Sequence, residues 1–285
     1  MARRQLTRLL KQLRRDADMK LDDAAEALEW SESKLSRIEA GKNGLRALDA
    51  AAMCNLYGRP DMAEKMGRLA KKANSKSWYA QYTDVIPEWF DLYIGLEGSA
   101  DQFRWYEDVL VPGMLQTPKY ARSLISTGQP NITDAEIDRR VQLRIERQSL
   151  LTRDSDPQHW HFALDAPILH RPIGGGQVMA DQLTRLLEVA DLPNVHLTVV
   201  PFSAGMFHGV LSGSFVLLDF PPDDNGEPAE PATVYAEGFT GALYTDQVDE
   251  VERYRAAFEA TWKAALDPAA SRTAIEKAVK EMRKT

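Results

Sequence analysis

The stretch Ala17-Asp-Met-Lys-Leu-Asp-Asp-Ala-Ala-Glu-Ala-Leu-Glu-Trp-Ser-Glu-Ser-Lys-Leu-Ser-Arg-Ile-Glu-Ala-Gly41 decides the fold of the N-terminal part. It contains two short helical patterns separated by a turn. Leu21 to Leu28 places Ala24, Ala25 and Leu28 on one side, and Asp22 and Asp23 suit the positive end of a helix dipole. After Glu29-Trp30, Ser31 is an N-cap candidate for a helix from Glu32 to Ala40, because its hydroxyl can accept from a first-turn amide. Gly41 supplies the stop. Leu35 and Ile38 face inward on that helix, leaving Glu32, Ser33, Lys34 and Arg37 outside. Two short helices joined tightly, the second presenting polar and basic residues from its first turns, form the geometry that enters a DNA major groove.

Working outward, Leu6, Leu9, Leu10 and Leu13 recur at helical spacing and predict a first helix, with Arg3, Arg4, Arg8, Lys11 and Arg15 on its other faces. Downstream, Asp49 to Leu56, closed by Gly58, and Met62 to Ala73 predict two more. Asn74 to Ser77 reads as a linker. The charge changes there too. The chain carries −7 overall, yet residues 1–76 hold 17 Lys/Arg against 11 Asp/Glu, and residues 77–285 hold 18 against 31. A basic head on an acidic body predicts two domains, 1–76 and 77–285, with the head turned toward a polyanion.

The quoted stretch resembles the Cro and phage-repressor class of helix-turn-helix regulators (the XRE family), most specifically at Ser36-Arg37-Ile38-Glu39 with Gly41. The resemblance implies base reading by Glu32, Ser33 and Arg37, and backbone contact by Lys34 and Lys42, with Arg46 a further candidate. It also implies that Glu39 pairs with Arg14 on the first helix. Two residues depart from the class: Leu21 stands where it often has Gln, and Glu29 where it often has Gly in the turn. Lys20 is the candidate to replace the phosphate contact in doubt at Leu21. Side-chain chemistry agrees, since Arg can fork onto guanine, Glu can accept from cytosine, and Lys is a point charge for phosphate. The plainer alternative is a solvated amphipathic helix.

The body opens with nine aromatic residues between Trp78 and Tyr106, read either as core or as a ligand cage. Pro87 to Glu97 predicts a helix with Phe90, Tyr93 and Ile94 inward. Asp134 to Leu151 predicts a long one, capped by Thr133, with Ile137, Val141, Ile145 and Leu151 on its buried side. Strand-like runs follow at Trp160–Leu164, Val195–Val200, Phe215–Phe220 and Thr233–Glu237. Further helical patterns cover 177–190, 248–266 and 269–283, giving an α+β domain behind a mainly α head of about five helices. Pro221 to Pro231, with four acids and four prolines, reads as a solvated hairpin loop.

Val111-Pro-Gly-Met-Leu-Gln-Thr-Pro-Lys-Tyr-Ala121, with Pro201 to Gly205, Gly213 to Phe215 and Val234 to Glu237, resembles the WhiJ-like actinobacterial regulators. That resemblance spans nearly the whole chain. It implies a large C-terminal domain of poorly understood function and a small partner protein. Gln116, Lys119 and Tyr120 in the Pro-Gly segment, and Glu237 at a strand end, are candidates for a ligand or partner surface. The competing reading of that segment is a loop packed beneath the aromatic residues.

No residue pattern names a reaction. His159 and His161 share a strand face, as a two-histidine metal site would, but nothing specifies a further ligand. Gly174-Gly-Gly176 before a helix lacks the Lys-Ser/Thr of a phosphate loop. Ser212, near His208, is not in a Gly-x-Ser-x-Gly elbow. The single cysteine, Cys54, excludes an internal disulfide and reads as core. No apolar run is long enough to cross a bilayer and the N-terminus lacks a signal pattern, so a cytoplasmic protein is expected. The expectation is a transcriptional regulator, homodimeric on a two-fold duplex DNA operator, without metal or cofactor, not an enzyme, and sensing a small molecule or a partner protein. The alternative is an enzyme or toxin-like body tethered to an autoregulatory head.

Overall fold

The computed structural model describes residues 2–41, 43–74, 78–154, 156–222, 226, 228 and 230–285. The chain divides into two units, Met1–Ala80 and Gln81–Thr285. Residues 75–77 of the expected linker lie outside the described residues.

The first unit is built from five α-helices: α1 (Ala2–Asp16), α2 (Leu21–Ala27), α3 (Glu32–Glu39), α4 (Ala47–Leu56) and α5 (Ala63–Asn74). The leucine stripe of α1 forms its floor. Leu6, Leu10 and Leu13 pack with Ala24, Ala25, Leu35, Ile38, Met53, Cys54, Met66 and Ala70 in one buried cluster. Cys54 is core, and burial pushes its thiol up to about 11.

The turns between these helices share one chemistry. After α2, the Trp30 N–H donates to Ala25 O at 2.8 Å and the Glu29 N–H to Glu26 O at 2.9 Å. This is the Schellman closure, which satisfies two orphan carbonyls and requires a left-handed residue between them. Asp18 (φ 52°), Glu29 (56°) and Gly58 (72°) hold that position after α1, α2 and α4, and Gly41 (71°) takes the same conformation after α3. Glu29 therefore adopts, in the turn itself, a conformation that costs a side-chain-bearing residue about 1 kcal/mol. Trp30 offsets this by packing against the core.

The second unit is a six-stranded mixed sheet in the order β3-β2-β1-β4-β5-β6. β1 (Gln102–Glu107), β2 (His159–Asp165) and β3 (Val195–Val200) are parallel. β4 (Phe215–Asp219), β5 (Thr233–Gly238) and β6 (Gly241–Thr245) continue antiparallel from β1. Helices carry the parallel crossovers: α7 (Pro118–Gly128) and α8 (Asp134–Arg147), then α9 (Pro167–His170) and α10 (Gly176–Val189). α6 (Glu88–Glu97) precedes the sheet, and α11 (Val248–Ala264) and α12 (Pro268–Met282) follow it. One sheet face buries Tyr106, Ala163, Phe215, Leu217 and Val234 under Val251, Ala257 and Phe258 of α11. The other carries the stacked pair Phe103–Trp160, with ring centroids 3.8 Å apart.

Two strands were not anticipated. β1 hid inside the aromatic run, and its in-out alternation is blurred because Trp105 and Tyr106 are both buried. β6 is only five residues long, and the sequence reading assigned no element there. The expected helix to Leu151 ends at Arg147 and continues as a 3₁₀ turn, Gln148–Thr152. Its Thr133 cap is a full capping box with Glu136. Its buried side also differs, with Ile137, Leu143 and Arg147 inside and Val141 and Ile145 half-buried. Residues 223–225, 227 and 229 of the expected hairpin loop lie outside the described residues.

Candidate nucleic-acid interface

The third helix of the head is positioned from both ends. At its start, Ser31 Oγ accepts from the Lys34 N–H at 3.3 Å. At its end, Glu39 takes a two-pronged grip from Arg14, with Nε to Oε1 at 2.7 Å and Nη2 to Oε2 at 2.9 Å. Arg14 Nη1 also donates to Met19 O at 2.7 Å, binding the α1–α2 link to the same guanidinium. The two side chains are 11% and 6% exposed. The Glu39 hydrogen bond and charge raise the Arg14 pKa above its usual value.

With Leu35 and Ile38 buried, α3 turns Glu32, Ser33, Ser36 and Arg37 to solvent. Arg37 Nε rests on Ser33 O at 3.1 Å, which holds the guanidinium along the exposed face rather than across it. Ser36 was not among the expected readers, although its i+3 spacing from Ser33 places it in the same stripe. Lys34 is half-buried, its ammonium 3.7 Å from the centre of the Trp30 ring, so the turn's aromatic residue orients a lysine expected at the DNA backbone.

Lys20 is exposed and sits at the N-cap of α2. Arg46, at the N-cap of α4, is already paired with Asp49 at 2.8 and 3.0 Å. An exposed pair of this kind is weak in water, so a phosphate can replace the carboxylate. Lys42 lies outside the described residues.

In the body, the expected surface segment proves internal. Gln116 is 3% exposed; its amide donates to Val111 O at 2.7 Å and its carbonyl accepts from Arg144 at 2.6 Å. Tyr120 is 1% exposed and its hydroxyl accepts from the Val111 N–H at 3.2 Å. Gln182 and Gln148 satisfy Leu115 O and Gln116 O, both at 2.7 Å. Three glutamine side chains thus do for this loop what a ladder does for a strand. Gln116 and Tyr120 are scaffold, which corrects their assignment to a surface. Lys119 is exposed. Glu237 is exposed as well, rather than set at a core edge, and accepts from the Tyr235 hydroxyl at 3.1 Å.

Tyr82, Tyr93, Phe103, Trp105 and Tyr106 of the aromatic run are buried, and the run does hold a cation: the chain's own Arg147, 4.8 Å from the centre of Phe90 and 5.6 Å from Tyr93. Ser212 spends its hydroxyl on Gly209 O at 2.7 Å. Of the three glycines, Gly174 and Gly175 hold left-handed φ values of 75° and 93°, and a Cβ at Gly176, the first residue of α10, would stand 2.5 Å from Met282 O. His159 is exposed, while His161 stacks on His196 with centroids 4.9 Å apart. Among the described residues no three His, Cys, Asp or Glu side chains gather as metal ligands.

Among the body groups that titrate out of their usual range, Glu107 and His161 move in opposite directions. Trp105 Nε1 (3.0 Å) and Ser214 Oγ (2.7 Å) both donate to Glu107, yet burial, followed by Asp108 and Glu237, pushes its carboxyl up to about 7. Burial, followed by His196 and Arg104, pulls the His161 imidazole down to about 4. Their linkage has opposite signs. Between about pH 4.5 and 7 the folded body keeps a proton on Glu107 that the unfolded chain releases, so this contribution falls as pH rises. Between about pH 4 and 6.5 the unfolded chain binds a proton on His161 that the fold refuses, so this one rises with pH. Relative to the parent chain, urea midpoints should therefore climb from pH 4.5 to 6.5 in Glu107→Gln and decline over that range in His161→Phe. Parallel profiles in the two variants would refute the assignment.

Residues 90–277, behind the head, match the family described as Domain of unknown function (DUF5753). The chain belongs to that family. Residues 5–65 match the family described as Helix-turn-helix domain, a span that takes in most of α1, all of α2 to α4 and the Arg14–Glu39 pair. This DUF5753 chain is thus a helix-turn-helix DNA-binding regulator whose C-terminal domain has unknown function. No curated protein and no solved structure matches it. Among the described residues no helix is long and apolar enough to cross a membrane.

Proposed function

We propose that this chain is a sequence-specific transcriptional regulator of the Cro and phage-repressor kind, binding a two-fold operator as a homodimer and receiving a signal through its acidic body. The observation that carries the reading is the exposed stripe of α3, capped by Ser31 and clamped through Glu39 to Arg14. A polar stripe fixed at both ends is what reading base edges requires. Dimerisation follows from affinity, because a single small recognition helix contacts too few bases, whereas two heads about one helical turn apart can read a palindrome. The WhiJ-like resemblance favours a small partner protein as the signal, with a small molecule as the other candidate. A receiver is favoured over an enzyme because Ser212, Gln116 and Arg147 of the body are engaged in internal hydrogen bonds.

Selection of bound duplexes from a random DNA pool with the full chain tests the reading and should return a palindrome. On that site Arg37→Ala should cost about 1–3 kcal/mol and flatten the preference at one base pair. Lys20→Ala should weaken all sequences alike and lower the salt slope by about one unit. Equal effects of both variants on sequence preference would overturn the assignment, and a pool without enrichment would overturn the function.

A further inference from the structure

The two edges of the body's sheet are finished differently. On the β3 edge, the link between α11 and α12 and the first turn of α12 take the free main-chain groups of Val199. The Leu266 N–H donates to its carbonyl at 2.9 Å, and Ser271 Oγ accepts from its N–H at 3.0 Å. On the β6 edge, no described residue forms a backbone hydrogen bond with the outer side. An open edge is a template for another strand, and proteins ordinarily blunt one with charge, proline or a covering element. Here Gly238 to Thr245 contains no charged residue and no proline.

Hairpin geometry specifies what this edge offers. β5 and β6 meet through the two-residue turn Phe239-Thr240, with Gly238 opposite Gly241 and Ala236 opposite Leu243. The pair closing such a turn is hydrogen-bonded, so alternation aims the N–H and C=O of Ala242 and Tyr244 outward. Large apolar side chains stand beside them: Leu243 is 50% exposed, Phe239 at the turn fully exposed, and Val248 at the start of α11 75% exposed.

We propose that the body self-associates through this edge, two copies of β6 pairing antiparallel about a two-fold axis at Leu243. In that register Ala242 of each copy exchanges two main-chain hydrogen bonds with Tyr244 of the other, and Leu243 lies against its own counterpart. Phe239 of each copy is carried to the Gln247-Val248 segment of the other, so one contact covers all three exposed apolar side chains. Self-complementarity about that axis selects a second copy as the occupant, and charge at this edge does not oppose it. Residues 77–285 carry −13, so most self-contacts would oppose like charges. This edge opposes none, since Asp246 falls beside Thr240.

The proposal deepens the dimeric reading above and rests on it for its biological use. Light scattering and sedimentation of the full chain should show a dimer, and Leu243→Lys, which places like charges opposite each other at a half-exposed site, should weaken self-association on the order of 100-fold. Leu243→Cys should cross-link under mild oxidation, since a non-hydrogen-bonded antiparallel pair sets its Cα atoms about 4.5 Å apart, within disulfide reach. Leu211→Cys, 75% exposed and away from the edge, should not, and the native Cys54 is buried. A chain that stays monomeric, a Leu243→Lys dimer as tight as the parent, or equal cross-linking at 211 and 243 each overturns the proposal. A strand from a different protein pairing with β6 would do the same. A dimer cross-linked at 243 that selects no DNA would uphold the interface while overturning the regulator reading. A Leu243→Lys dimer that still binds its palindrome would do the reverse.

Discussion

Replacing Arg147 by methionine is expected to cost the body about 3–5 kcal/mol, the largest effect of any single substitution considered for this chain. Arg147 and Glu97 are 4% and 0% exposed and meet two-pronged, Nε to Oε2 at 2.9 Å and Nη2 to Oε1 at 2.6 Å. Phe90 and Tyr93 cover the guanidinium. Both charges have left water, and each is tolerable only because the other is present. Arg147→Met leaves the Glu97 carboxylate among apolar groups, where it must take up a proton or draw in water. The double variant Arg147→Met with Glu97→Leu removes both charges and should recover much of the loss, because well-packed apolar groups can match a buried ion pair. Urea unfolding followed by tryptophan fluorescence reports all three. Additive costs, or a single variant as stable as the parent, would show that the pair is not coupled as its geometry requires.

That pair also marks where reading the sequence stops working. The head was legible because its determinants are local: a serine before a helix, apolar spacing of three and four, and a glycine after it each act within a few residues. Even Glu39–Arg14, 25 residues apart, came from the resemblance and then took the expected geometry. In the body, α8 was placed by its Thr133 cap, but its buried face was not, because apolar periodicity cannot count an arginine as core. Arg147 is inside only because Glu97 arrives from a helix 50 residues away. The Val111–Tyr120 segment misled for a related reason. Its turns and polar residues look like surface, and what sends Gln116 inward is the need to satisfy Val111 O and Arg144, neither of which a local pattern reveals. Ser36 was missed although the helical period that placed Ser33 and Arg37 also placed it.

Replacing Glu39 by glutamine should unfold the head more easily by about 3 kcal/mol and weaken DNA binding at the same time. The stability effect arises because the Arg14 guanidinium, 11% exposed, loses the opposite charge and one of its two prongs, the glutamine amide offering one acceptor oxygen where the carboxylate had two. The buried phenol of Tyr57 would report the change. Burial first, with a further push from Glu39, raises it to about 12, so neutralising Glu39 should lower its titration midpoint. The effect on DNA follows from position. Glu39 is the last residue of α3 and Arg14 stands on α1, so the pair sets the angle at which the Ser33, Ser36 and Arg37 stripe leaves the domain. A looser α3 weakens contacts along the stripe together without changing which base each side chain prefers. Affinity should therefore fall for the operator while the preferred sequence stays the same, unlike the single-position change expected of Arg37→Ala. Arg14→Met with Glu39→Met removes both charges and should cost less than the sum of the single changes. Additive unfolding energies would show that the two side chains act independently. A Glu39→Gln head that is destabilised yet binds its operator at full strength would show that the pair holds the fold without aiming the helix.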